Sequence, residues 1–152
     1  MKRRMLLALP LAAAGLIVAG CGSDSSSSTT TAALTKSEFL AQGNAICAKG
    51  DKAINQAAQE TFKKQKPSTS QLNQFATQTL IPNIQQQIDG IKALPAPSGD
   101  EAQVTAIVTA AQAALDKGKA DPQILVSNGQ DPFAPVNKLA NAYGLTKCGG
   151  SG

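Results

Sequence analysis

Apolar side chains recur at three- and four-residue intervals along nearly the whole stretch from Thr35 to Cys148, the spacing that lines one face of an α-helix. Nowhere do β-branched or aromatic residues alternate with polar ones over a useful length, so no strand is predicted. Thr35 and Glu38 have the spacing of a capping box and open a first helix, which carries Leu40, Gly43, Cys47, Gly50, Ile54 and Ala57 on one stripe. That helix is expected to stop around Gln65, because Pro67 disfavours helical geometry in the residue before it. Gly43 and Gly50 each cost helix propensity, about 1 kcal/mol relative to alanine. Close approach by a neighbouring helix is the expected compensation.

Ser68 or Ser70 caps a second helix, with Leu72, Phe75, Leu80, Ile84, Ile88 and Ile91 on its apolar stripe. Pro82 falls inside it, removing one backbone donor and crowding the carbonyl of Gln78, so a kink near Gln78 to Ile81 or two shorter helices are predicted. Pro95 and Pro97 break the chain. Ser98 and Glu101 then have capping-box spacing for a third helix, with Asp100 adding charge suited to its N-terminus and Gly118 as its stop. Asp121-Pro122 opens a short helix through Val126, and Asp131-Pro132 a last one that Gly144 ends, with Leu145 folding back onto it. Long helices on short joints pack antiparallel, so the expected fold class is all-α: a compact antiparallel four-helix bundle with a short extra helix.

The beginning of the chain has another pattern. Lys2, Arg3 and Arg4 precede an uncharged stretch from residue 5 to residue 20, shorter than the roughly 20 apolar residues of a membrane span and arranged like an export signal. Val18-Ala19-Gly20-Cys21 resembles the lipobox of bacterial lipoproteins. The resemblance implies that the Cys21 thiol receives a diacylglyceryl group and becomes the first residue after cleavage. Residues 23 to 31, almost all serine and threonine, lack the apolar surface to offset their ordering entropy and read as a tether. The expected organisation is therefore a signal peptide over 1–20, the lipidated Cys21 with its tether over 21–34, the bundle over 35–148 and a flexible tail over 149–152.

Cleavage changes the charge argument. The chain carries 14 basic and 10 acidic residues, a net charge of +4, and losing Lys2, Arg3 and Arg4 leaves the mature protein almost neutral. Such a protein has no large field for steering nucleic acid. Lys63, Lys64 and Lys66 form the basic cluster of the domain; with Phe62 as the aromatic beside them they make a poor nucleic-acid site and suit a helix C-terminus, or an anionic lipid or wall polymer.

With Cys21 assigned to lipid, Cys47 and Cys148 remain, in an exported compartment where disulfides persist. A structural bond between them, free thiols and a redox pair are the alternatives. The bond is the expected one, since no Cys-x-x-Cys spacing lowers a thiol pKa. The chain has no histidine, which removes Ser-His and Cys-His nucleophile pairs and the commonest zinc ligand. Asp100, Glu101, Asp121 and Asp131 read as caps, and Glu38, Asp51, Glu60, Asp89 and Asp116 as solvated helix faces. Tyr143, the sole tyrosine, reads as a core edge with its hydroxyl in water. No catalytic residue, metal site or cofactor is expected.

The lipobox together with "NAICAK" at residues 44–49, "ALPAPSGDE" at 93–101, "DPF" at 131–133 and "AYGLTKCG" at 142–149 resembles a group of small lipoproteins of high-GC Gram-positive bacteria. That resemblance implies a lipid-anchored location on the extracytoplasmic face of the cell membrane and a paired cysteine set, and assigns no activity. The leading expectation is a non-enzymatic adaptor that contacts another envelope protein. The alternative is a carrier or sensor of a small apolar ligand, held between the kinked 70–94 segment and the helices from Ser98 and Asp131.

Overall fold

Thr35 starts the first helix as its spacing predicts. Its hydroxyl accepts the Glu38 N–H at 3.3 Å and donates to the Glu38 carboxylate at 2.6 Å, while that carboxylate also accepts the Thr35 N–H at 2.9 Å; the hydroxyl's bond to the carboxylate first, then the backbone one, hold the Glu38 pKa below its ordinary value. The computed structural model describes residues 32–127, 129 and 131–149. The expected leader, Cys21 and the tether as far as residue 31 lie outside the described residues.

Helix α1 (Lys36–Phe62) ends short of Gln65, because Lys63 and Lys64 turn into the left-handed region at φ 45° and 64°. Pro67 therefore follows a turn already made. Ser68 caps α2 (Thr69–Phe75) through a reciprocal box with Gln71. Pro82 perturbs the helix in the region where a kink or two shorter helices were expected. Residues Ala76–Leu80 form one wider π-turn, in which Ile81 N–H reaches back to the carbonyl of Ala76, and α3 (Ile81–Ala93) continues with Pro82 in its first turn. One extra residue in the hydrogen-bond ladder accommodates the missing proline donor, and Thr69 to Ala93 runs as one helical rod.

Helix α4 (Glu101–Ala120) corrects two expectations. Ser98 does not cap it; Asp100 holds the N-cap position without a side-chain cap bond, and the Glu101 carboxylate instead accepts the Gly99 N–H at 2.8 Å. Gly118 does not stop it either, since the helix runs two residues further and Gly118 serves as a flat seat for the Leu125 side chain. Asp121 caps a 3-10 turn at Pro122–Leu125, shorter than the helix expected through Val126. Asp131 accepts the Phe133 N–H at 2.8 Å, yet the last helix, α5 (Ala134–Tyr143), begins beyond it.

The four rods pack antiparallel. Gly43 lies against Ile91, Gly90 against Ile46 and Gly50 against Gln87, so α1 and α3 run in opposite directions at close approach, as the two glycines of α1 predict. Gln85 and Gln112 exchange hydrogen bonds between α3 and α4, and Tyr143 at the end of α5 meets Asp100 at the start of α4. Phe39, Ile91, Val104, Ile107, Ala140 and Leu145 make the centre of the core. The bundle is closed by a disulfide between Cys47 and Cys148, 101 positions apart in sequence with Cα atoms 5.0 Å apart.

Three further contacts fasten the end of the chain to α1. Gly144, at φ 110°, ends α5 in the left-handed conformation, and Leu145 N–H turns back to the Ala140 carbonyl at 2.8 Å. The Asn44 side chain donates to the Gly144 carbonyl at 3.1 Å and accepts the Lys147 N–H at 2.8 Å. Leu145, 1% exposed, fills the notch at Gly43, where an added Cβ would come within 2.6 Å of its Cδ2 atom. A Gly43→Ala variant is accordingly expected to lose about 1–3 kcal/mol by overpacking, despite its better helix propensity, as chemical denaturation would measure. Gly149, where the tail was expected to begin, is buried, its carbonyl accepting the Asn141 amide at 3.3 Å.

Candidate functional site

Where α1, α3, α4 and α5 converge they leave an apolar cleft of about 220 Å³. Ile54 of α1, Ile84 and Ile88 of α3, Ile107 of α4, and Phe133 with Val136 at the head of α5 form its walls. The Cys47–Cys148 bond and Leu145 close one side, so the fastened end of the chain is itself part of the wall. The cleft thus lies among the 70–94 segment and the helices from Ser98 and Asp131, together with α1, which the sequence did not point to.

Its mouth is polar. Asp51 lies one helical turn beyond Cys47 on α1, and Lys147 directly precedes Cys148, so the disulfide brings two residues that are 96 positions apart to one rim. Loss of solvation pushes the Asp51 pKa up, and the neighbouring Lys147 charge partly opposes that. Among the described residues neither side chain makes a hydrogen bond, and neither forms an ion pair within 4.0 Å. The sequence reading put Asp51 on a solvated helix face. Its rim position becomes legible only once Cys47 and Cys148 are joined.

The groove between α3 and α4, about 540 Å³, offers a contrast. It is larger, but the carboxylates along it already have partners. Asp89 accepts from Gln85 at 3.1 Å, and Asp116 accepts from Gln112 at 2.9 Å and pairs with Lys119 at 3.3 Å. The Gln112 and Lys119 bonds hold the Asp116 pKa down. Glu101 is engaged with Gly99.

A third cluster joins three helix ends. Tyr143 is buried, and its hydroxyl donates to Asp100 Oδ2 at 2.9 Å, which corrects the expectation of a hydroxyl in water. Lys36 Nζ lies 3.3 Å from the same oxygen and 4.3 Å from the centre of the tyrosine ring. Each group satisfies another, so the cluster acts as a clamp between α1, α4 and α5. Burial first, then the bond to Asp100, raise the Tyr143 pKa to about 12. Because the unfolded value is about 10, the stabilising contribution of this neutral phenol is fully present below pH ~10 and is lost as the pH rises through ~12. As the chain has one tyrosine, an absorbance titration of tyrosinate reads it directly; a midpoint near 10 in the folded protein would remove the clamp.

Cys47 and Cys148, expected as a disulfide, are joined; Cys21, expected to carry lipid, lies outside the described residues. Lys63, Lys64 and Lys66 lie beyond the end of α1 rather than in its last turn. Among the described residues, no three His, Cys, Asp or Glu side chains converge as a metal ligand set would, and no helix is long and apolar enough to cross a membrane. Compared with known protein families, curated proteins and solved structures, the chain matches none.

Proposed function

We propose that this chain is a lipid-anchored extracytoplasmic binding protein that holds a small apolar ligand in the cleft between its helices and has no catalytic role. The observation that carries the reading is the contrast between cleft and surface. An adaptor docks through an exposed apolar patch, yet Leu139, at 44% exposure, is the one large hydrophobic side chain left exposed among the described residues. The cleft instead gathers Ile54, Ile84, Ile88, Ile107, Phe133 and Val136 around one space.

Volume sets the ligand class. A cavity of about 150 Å³ holds benzene, whereas drug-sized ligands occupy roughly 300–1,000 Å³. At about 220 Å³ the cleft suits one ring or one branched aliphatic group with a few further atoms. The anchoring half of the proposal rests on the lipobox resemblance at Val18 to Cys21 and the tether that follows it.

Native mass spectrometry of the full chain isolated from cell membranes tests both halves. The expected result is a mature protein beginning at a diacylated Cys21 with a stoichiometric small molecule that is lost when Ala111→Phe, in the α4 wall of the cleft, fills it, circular dichroism verifying the fold. An unmodified Cys21 or a retained leader overturns the anchoring. A chain that carries no small molecule, while a photoreactive residue at Asn137 crosslinks reproducibly to one protein neighbour, overturns the ligand reading in favour of the adaptor.

A further inference from the structure

The rim of the cleft is more specific than its interior. An apolar cavity of this size selects only for bulk, but Asp51 and Lys147 put one negative and one positive side chain at the same mouth. Neither is neutralised by a hydrogen bond or ion pair among the described residues, in contrast to the engaged carboxylates of the α3–α4 groove. Both charges are held in place from behind. Asp51 stands on a continuous helix one turn past the disulfide, and the Lys147 backbone is fixed by the Asn44 side chain at 2.8 Å and by the bonded Cys148 next to it.

Resting on the reading of the cleft as a binding site, we propose that its ligand is a free apolar α-amino acid of the size of leucine or phenylalanine. The side chain enters the cleft, the ammonium meets Asp51 and the carboxylate meets Lys147. Charge complementarity carries the choice. A hydrocarbon satisfies neither rim charge, a simple cation or anion satisfies one and is repelled by the other, and a zwitterion with both charges on one carbon satisfies both. Loss of solvation disfavours the charged Asp51 carboxylate in the free protein and the Lys147 charge offsets only part of that, so an arriving ammonium adds a favourable partner. A phenyl ring and its methylene fit the roughly 220 Å³ available, given that about 150 Å³ suffices for benzene.

The test is calorimetry on the full chain, purified from membranes into nanodiscs, with phenylalanine, N-acetylphenylalanine and phenylalaninamide as probes. Phenylalanine is expected to bind, and each blocked derivative to bind about tenfold more weakly, the scale of one lost hydrogen bond to a charged group. Asp51→Asn and Lys147→Gln, both at exposed positions, give matching outcomes. The first weakens phenylalanine about tenfold without further weakening N-acetylphenylalanine, and the second weakens phenylalanine without further weakening phenylalaninamide. A merely structural role for either residue would weaken all three probes alike.

The inference is overturned if no probe binds, if all three bind equally, or if each substitution acts on every probe to the same extent. Failure here separates from failure of the broader reading. A co-purifying molecule of another class, lost on Ala111→Phe, leaves the cleft a binding site and removes the amino acid; a cleft that carries no small molecule and crosslinks to a protein removes both.

Discussion

A double variant, Cys47→Ala with Cys148→Ala, is expected to lose about 4 to 5 kcal/mol of folding stability. The bond spans 101 positions, and loop-closure entropy removed from the unfolded chain by a ring of that size is worth about 4.7 kcal/mol. Small domains have total stabilities of about 5–15 kcal/mol. The variant should therefore melt roughly 16–20 °C lower, if each kcal/mol shifts the midpoint of a domain this size by about 4 °C. Reduction of the wild-type protein by a dithiol should reproduce most of the loss. A shift of only a few degrees would mean that Asn44 and the Leu145 plug already confine the end of the chain without help from the bond.

The second large effect lies about two turns earlier on α1. Phe39 is fully buried, and its ring meets Tyr143 edge-on, with centroids 6.0 Å apart and planes at 83°. Phe39→Ala removes that packing and leaves a void beneath the Lys36–Asp100–Tyr143 clamp, so a loss of about 3–5 kcal/mol in denaturant unfolding is expected. Phe62, paired with Phe75 at 5.1 Å but only half-buried at the far end of the same helix, provides the control. Phe62→Ala should cost clearly less. Equal losses would show that the core does not taper from the clamp towards the Lys63 end.

Local signals were legible in the sequence at several helix ends where both members of an interaction lie within one turn. Thr35 with Glu38, Asp121 at its 3-10 turn and Gly144 with Ala140 are of this kind, Ser68 was one of two caps the sequence offered, and the four-helix architecture follows from their order. The same reasoning misplaced Ser98. Tertiary partners fix that end of α4: Asp100 is taken by Tyr143 and Lys36, residues 43 and 64 positions away, and Glu101 turns to Gly99. Gly118 looked like a stop because a missing Cβ permits a left-handed residue. Here the missing Cβ admits Leu125, a packing use with no local signature.

The Pro82 signal was read correctly as a perturbation of a helix. Its outcome, one π-turn in an unbroken rod, depends on one-residue ladder arithmetic that hydrophobic periodicity does not record. The cleft was less legible still. Its wall on α1 and the meeting of Asp51 with Lys147 depend on which cysteines are joined, and the spacing of one turn from Cys47 and one residue from Cys148 gains its meaning only after that pairing.

The fastening of the last residues to the first helix also gives the domain a timetable. The rods consist of local contacts and can form as each segment is synthesised, the regime in which helical proteins fold fast. The Gly43 notch, however, waits for Leu145, and Cys47 waits for Cys148, partners made about a hundred residues later. Until both partners arrive, the central seam stays open however well each helix has formed. A chain cut short ahead of Leu145 can therefore form its helices and still present an unsealed seam to proteolysis.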